Sequence, residues 1–205
     1  MSKVLSLDIE TKNLSNEIGG WHNQHMFKVA CAVTWDGKKG VVYTDAPLTD
    51  TLTKSEGLEF KELRQLKFDL DDHFQKGGRI LGHNINAFDL PVLRDSHTDI
   101  FIVRKYLDDK ETRCIDTSAY VTKHSGKRVH LDNLVKCTLN ESKLMEATYS
   151  VELWKMGEYD DVIEYCLKDT QLTYDLWKYG QDNGIVKYYD SDEKCYVEIK
   201  TDWLS

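Results

Sequence analysis

Apolar and polar residues alternate in V-L-S-L-D-I-E-T, Val4–Thr11. A strand with this pattern carries Leu5, Leu7 and Ile9 on one face and Ser6, Asp8 and Glu10 on the other. Residues 12–24, with Asn13, Asn16, Gly19 and Gly20, read as a loop, and M-F-K-V-A-C-A-V-T-W at 26–35 as a second strand. Asp36-Gly37 turns the chain into a third strand at 40–43, giving an antiparallel three-stranded meander. From 58 to 76 the apolar residues Leu58, Leu63, Leu66, Leu70 and Phe74 recur at helical spacing, and Gly77-Gly78 ends the predicted helix. A β segment, R-I-L-G-H-N, follows, then a short helix across Pro91 and Leu93, a mixed stretch at 100–106 and a strand-like T-R-C-I-D-T at 112–117. The last third is predicted helical at 130–138, 150–156 and 160–179, the longest helix carrying a stripe of Ile163, Leu167, Thr170, Tyr174 and Trp177. Asn183-Gly184 stops it, and the tail at 185–201 alternates about a polar turn as a β-hairpin does.

With 205 residues and 40% apolar content the chain can bury a full core, and the pattern is that of one α/β domain over 1–205 with its core at 3–180. Its apolar runs fall short of the ~20 residues of a membrane span, so a soluble, unsecreted protein is expected. The five cysteines are odd in number and scattered, with no C-x-x-C pair. That argues against a disulfide framework or a zinc cluster and for a reducing, cytoplasmic setting. The net charge of −8 is opposite to that of most nucleic-acid binders. Basic residues do gather locally at Lys123, His124, Lys127, Arg128, His130 and Lys136, either as a solvated face or as a basic patch.

The acids change the picture. Asp8 and Glu10 are like charges one pleat apart; a solvated polar face explains them, and so does a divalent cation between them, since hard carboxylate oxygens suit Mg²⁺ or Mn²⁺. Asp89 stands at a predicted helix start, where an Asp also serves the free N–H groups. Tyr165 and Asp169 lie four residues apart on one face of the long helix. In chain order these make Asp-x-Glu on the first strand, an Asn84 to Phe88-Asp89 segment in the middle, and Tyr-x-x-x-Asp on a late helix. This arrangement resembles the tyrosine-bearing branch of the DEDD superfamily of 3′-5′ exonucleases over residues 3–180. I-D-T at 115–117, L-D-N-L-V-K-C-T-L with Lys143, and W-K-M-G-E-Y-D-D-V-I-E-Y-C-L-K-D-T are similar to bacterial ribonuclease H-like domains related to DNA polymerase exonuclease domains.

The resemblance implies a ribonuclease H-like (DnaQ-like) fold, a mixed central sheet with helices on both faces and the acids converging at one edge. It implies hydrolysis of DNA or RNA from a single-stranded 3′ end with two Mg²⁺ or Mn²⁺ ions. Asp8 would bridge the ions, Glu10 and Asp169 would hold the one that activates water, and Asp89 the other; Tyr165 would orient the water. An unperturbed phenol titrates near ~10, so Tyr165 is not expected to act as a strong base. Thr11, Trp21, Asn84 and Phe88 are candidate substrate contacts, with Trp21 able either to stack on a terminal base or to pack locally, and Phe88 either in the groove or in the core. His22 and His25 lack a third ligand for a metal site. No helicase or polymerase partner is assigned. A hybrid-cutting endonuclease and a non-catalytic nucleic-acid-binding module are the alternatives.

Overall fold

The computed structural model describes residues 3–95, 113–142, 144 and 147–203. The stretch at 100–106, Thr112 and Lys143 lie outside them. A six-stranded mixed sheet forms the centre, in the order β4-β3-β2-β1-β5-β6. Strands β1 (Val4–Thr11), β2 (Val29–Trp35) and β3 (Gly40–Thr44) make the antiparallel meander. Strands β5 (Arg79–Gly82) and β6 (Cys114–Asp116) continue the sheet in parallel beyond β1.

Residues 58–61 differ from expectation: Leu58–Lys61 is strand β4, parallel to β3, and the helix begins only at Gln65. L-E-F-K alternates, and Phe60 packs beneath the sheet beside Val42 and Leu52, so a free edge on β3 outweighed helical spacing that Leu58 matched by coincidence. The remaining helix, α2 (Gln65–Gln75), buries Leu66, Leu70 and Phe74 at four-residue intervals. They pack with Leu7, Ile9 and Ile80, each such burial stabilising by about 1.5–3 kcal/mol.

Residues 12–26 are more ordered than a plain loop, holding 3₁₀ turns at Ser15–Ile18 and Trp21–Met26, and β2 starts at Val29 rather than at 26. Only the first four residues of R-I-L-G-H-N are strand, and the strand at Cys114–Asp116 passes directly into a helix, α4 (Thr117–Ser125), that periodicity does not reveal. Here the short helix across Pro91 is α3 (Asp89–Asp95), and α1 is the single turn Asp50–Thr53. The last third follows expectation as α5 (Leu131–Leu139), α6 (Ala147–Met156), α7 (Tyr159–Asn183) and the hairpin β7 (Ile185–Asp190) and β8 (Cys195–Lys200). Gly184 closes α7 with φ 73°, a left-handed conformation suited to glycine.

The buried side of α7 overlaps the expected stripe and is wider than it. Ile163 and Thr170 are buried as expected, Val162, Cys166, Asp169, Thr173 and Leu176 are buried beside them, and Leu167, Tyr174 and Trp177 are half-buried. Helices cover both faces of the sheet: α2 and α3 pack on the side of Leu7 and Ile9, and α7 on the side of Cys31, Val33 and Val42. The acids meet at the carboxyl end of β1, an interior strand, rather than at an edge of the sheet.

Candidate active site

Strand β1 presents the two faces that its alternation predicts, but its polar face is largely covered, with Asp8 half-buried. Ser6 is buried, and Glu10 is 9% exposed beneath α6 and α7. Strand β5 pairs with β1 only as far as Ser6↔Leu81 and then turns away, so the next part of β1 has no strand on that side. There the N–H of Ile9 donates to Asp89 Oδ1 at 3.2 Å, which brings the first residue of α3 to the end of β1. From the opposite face α7 sets Tyr165 and Asp169 over the same strand end, and the Cys166 thiol lies 3.6 Å from Asp8 Oδ2. Asp89 accepts from its own backbone N–H at the helix start as well as from β1, as the helix-start reading expects.

The acids act on one another. Burial holds the Glu10 carboxyl well above the usual range, the Asp8 charge raises it further, the Ser150 hydroxyl opposes this, and Cys31 and Asp169 raise it again. Asp89 is raised by burial and by Asp8, against two backbone N–H donors. Tyr165 is 1% exposed, and its phenol is raised by burial and by the charges of Asp169, Glu10 and Asp8, so it stays protonated. Among the described residues, no group of three or more His, Cys, Asp or Glu side chains is placed to hold a metal ion.

A cleft of about 520 Å³ opens beside Glu10, and Thr11, Trp21, Asn84 and Phe88 all line it. Trp21 is 63% exposed yet packed, its ring 5.8 Å from Phe27 and 5.6 Å from Phe88, an aromatic wall half in the core and half in the cleft. Thr11 donates its hydroxyl to Asn13 O at 3.0 Å, which shapes the turn after β1. Asn84 has φ 66°, a conformation that Asn tolerates better than most residues. Gln24 ties the Trp21 turn to this loop through Ala87 O at 2.9 Å. His22 and His25 are exposed on that turn.

Several residues here escape sequence reasoning. Asp116, at the end of β6, accepts from the N–H groups of Asn84 at 2.9 Å, Asn86 at 3.0 Å and Ala119 at 3.0 Å, so one carboxylate holds the Asn84 loop and caps α4. Asp116 enters the sequence reading only within I-D-T, and the Asp before T-S-A is its one local signal as a cap. Ser150 reaches Glu10, and nothing in its local pattern points there. Of the basic run, Lys127 is engaged by Asp190 and Asp192, His124 stacks on Tyr120, and Arg128 lines the cleft with no ion pair among the described residues. A larger cleft, about 1050 Å³, lies at the other end of β1. Charges there are largely compensated, as in Lys3–Asp36 and Lys76–Asp72, and none of the four clustered acids reaches it. All five cysteines are free, and among the described residues no helix is long and apolar enough to cross a membrane.

No protein-family model and no curated protein matches the chain.

Proposed function

We propose that the protein is a metal-dependent 3′-5′ exonuclease acting on nucleic acid, built on a ribonuclease H-like fold. One observation carries the reading. Acids from three distant segments, Asp8 and Glu10 on β1, Asp89 on α3 and Asp169 on α7, are gathered at one strand end, with Asp8 half-buried and the other three buried, and burial together with the neighbouring acids raises Glu10 and Asp89. A fold spends stability in this way where a cation or a reaction repays it. The sheet order, a meander continued by parallel strands, is compatible with the ribonuclease H-like architecture.

The donor set fits hard divalent ions: four carboxylates at one strand end, two of which, Glu10 and Asp89, are raised by burial and by the acids beside them. Asp8, Glu10, Asp89 and Asp169 would hold two Mg²⁺ or Mn²⁺ ions, which when bound supply an acidified water and charge neutralisation at the phosphate. Tyr165, kept protonated, donates its hydroxyl and does not act as a base. The wall of Trp21, Phe27 and Phe88 receives the terminal base, Asn84 shapes the cleft floor, and Arg128 offers a positive charge to the backbone phosphates.

The test is degradation of labelled DNA and RNA strands with Mg²⁺ or Mn²⁺ by the protein and by Asp8→Asn. Metal-dependent release of nucleotides by the wild type, abolished in Asp8→Asn, supports the reading. Binding without hydrolysis under every condition favours a non-catalytic binding module instead.

A further inference from the structure

Helix α6 forms part of the cleft wall through Thr148 and Val151, and its neighbouring residues fasten it to the chain that leaves β1. The Lys12 ammonium sits 5.3 Å from the centre of the Trp154 ring, and Lys155 pairs with Glu17 at 2.5 Å. Between these outer contacts and the core, the Ser150 hydroxyl donates to Glu10 Oε2 at 2.5 Å, with Ser150 0% exposed. Beside Glu10 stand Asp8 on the same strand, Asp169, Tyr165 and Cys166 on α7 and Cys31 on β2, none of them a cation. The Ser150 hydroxyl is the donor that reaches the Glu10 carboxylate.

We infer that Ser150 is a positioning residue, holding one oxygen of Glu10 so that the other is presented to a cation. This rests on the nuclease reading above. For a buried glutamate with three rotatable bonds, beside the like charges of Asp8 and Asp169, a short charge-assisted hydrogen bond selects one rotamer. The bond occupies Oε2 and leaves Oε1 to serve as a single-oxygen ligand. Because Thr148 and Val151, in the same turn as Ser150, line the cleft, the same helix sets both the substrate wall and the orientation of the ligand. Partners that orient a metal-binding carboxylate affect metal affinity almost as the ligands do.

The experiment is calorimetric titration of the full chain with Mn²⁺, combined with steady-state hydrolysis of a single strand at saturating Mn²⁺. Ser150→Ala should weaken Mn²⁺ binding by about 10-fold or more. Its KM for the strand should not change, since Ser150 is not among the residues lining the cleft. Ser150→Cys, of similar volume but a weaker donor, should fall between Ala and the wild type. In a Glu10→Gln background, Ser150→Ala should have no further effect on Mn²⁺ affinity, because the two residues act through one contact. Unchanged Mn²⁺ affinity in Ser150→Ala, or an equal loss in both backgrounds, overturns the inference while leaving the nuclease reading intact. A wild type that takes up no Mn²⁺ and hydrolyses nothing overturns both together.

Discussion

Replacing Glu10 by Gln should make the protein more stable at pH 7 when divalent cations are removed. Glu10 lies two residues from Asp8 on one strand face, a separation of roughly 7 Å given ~3.3 Å per residue. At an effective dielectric constant near 20 that repulsion amounts to about 2.4 kcal/mol, and burial and Asp169 add to it. Wild-type Glu10 can escape by binding a proton. From an ordinary value near 4.5 this caps its penalty at pH 7 at about 1.36 × 2.5, or 3.4 kcal/mol. The Gln oxygen still accepts from Ser150, but a neutral acceptor is weaker by about 1 kcal/mol. The net gain is about 1–2.5 kcal/mol, or a Tm rise of about 2–10 °C for a chain of this size.

The sign of the pH dependence follows from the raised carboxyl. The folded state holds this proton more tightly than the unfolded state, so the wild type loses stability as pH rises from about 4.5 through the folded value, and the loss is then complete. Gln has no such loss. Urea denaturation in a chelator should therefore give the variant no advantage from the lost charge at pH 4.5 and a growing advantage toward pH 7. A variant less stable than the wild type at pH 7, or a gain that is the same at both pH values, would refute the reasoning.

Asp116→Ala removes an acceptor from three backbone N–H groups and should cost about 3 kcal/mol, read as a drop in urea midpoint, with activity falling as the Asn84 loop loosens. Trp21→Ala should raise KM for a single strand by roughly 5- to 100-fold, the equivalent of one lost base stack of ~1–3 kcal/mol, while kcat changes little; an unchanged KM would leave Trp21 a packing residue. Tyr165→Phe should lower kcat by about 10- to 1000-fold with little effect on Tm, the range for a lost positioning or proton-transfer group; unaltered single-turnover rates would make Tyr165 structural.

Much of the fold is legible where one local signal agrees with the tertiary outcome. The faces of β1, the Asp36-Gly37 turn, the stop at Gly184 and the terminal hairpin are of this kind. Leu58 to Lys61 were misread because four residues fit either period, and the choice was made by the pairing edge of β3, which no local window contains. Helix α4 was missed because its start depends on the Asp116 cap and its apolar face is weak. At the site, each acid alone has an ordinary explanation, and it is their order along the chain, Asp-x-Glu, Phe-Asp and Tyr-x-x-x-Asp, that singles them out. Ser150, Asp116 and Arg128 are not singled out, because a serine in a helix, an aspartate before a helix and an arginine in a basic run are ordinary, and only the packing of α6, β6 and the 126–128 turn against the end of β1 gives them a role. The cleft, assembled from β1, the Trp21 turn, the Asn84 loop and α6, exists only in three dimensions.

Polarity of degradation tests the central claim most directly. A 5′-labelled linear strand, the same strand closed by a 3′ phosphate, and a covalently closed circle are incubated with the protein and Mg²⁺ or Mn²⁺, in DNA and RNA versions and with Asp8→Asn as control. A 3′-5′ exonuclease gives a ladder that shortens from the 3′ end, is slowed by the 3′ block and leaves the circle intact, with no products in Asp8→Asn. Efficient nicking of the circle, cutting of the RNA strand within a closed hybrid, or equal activity in Asp8→Asn would contradict it.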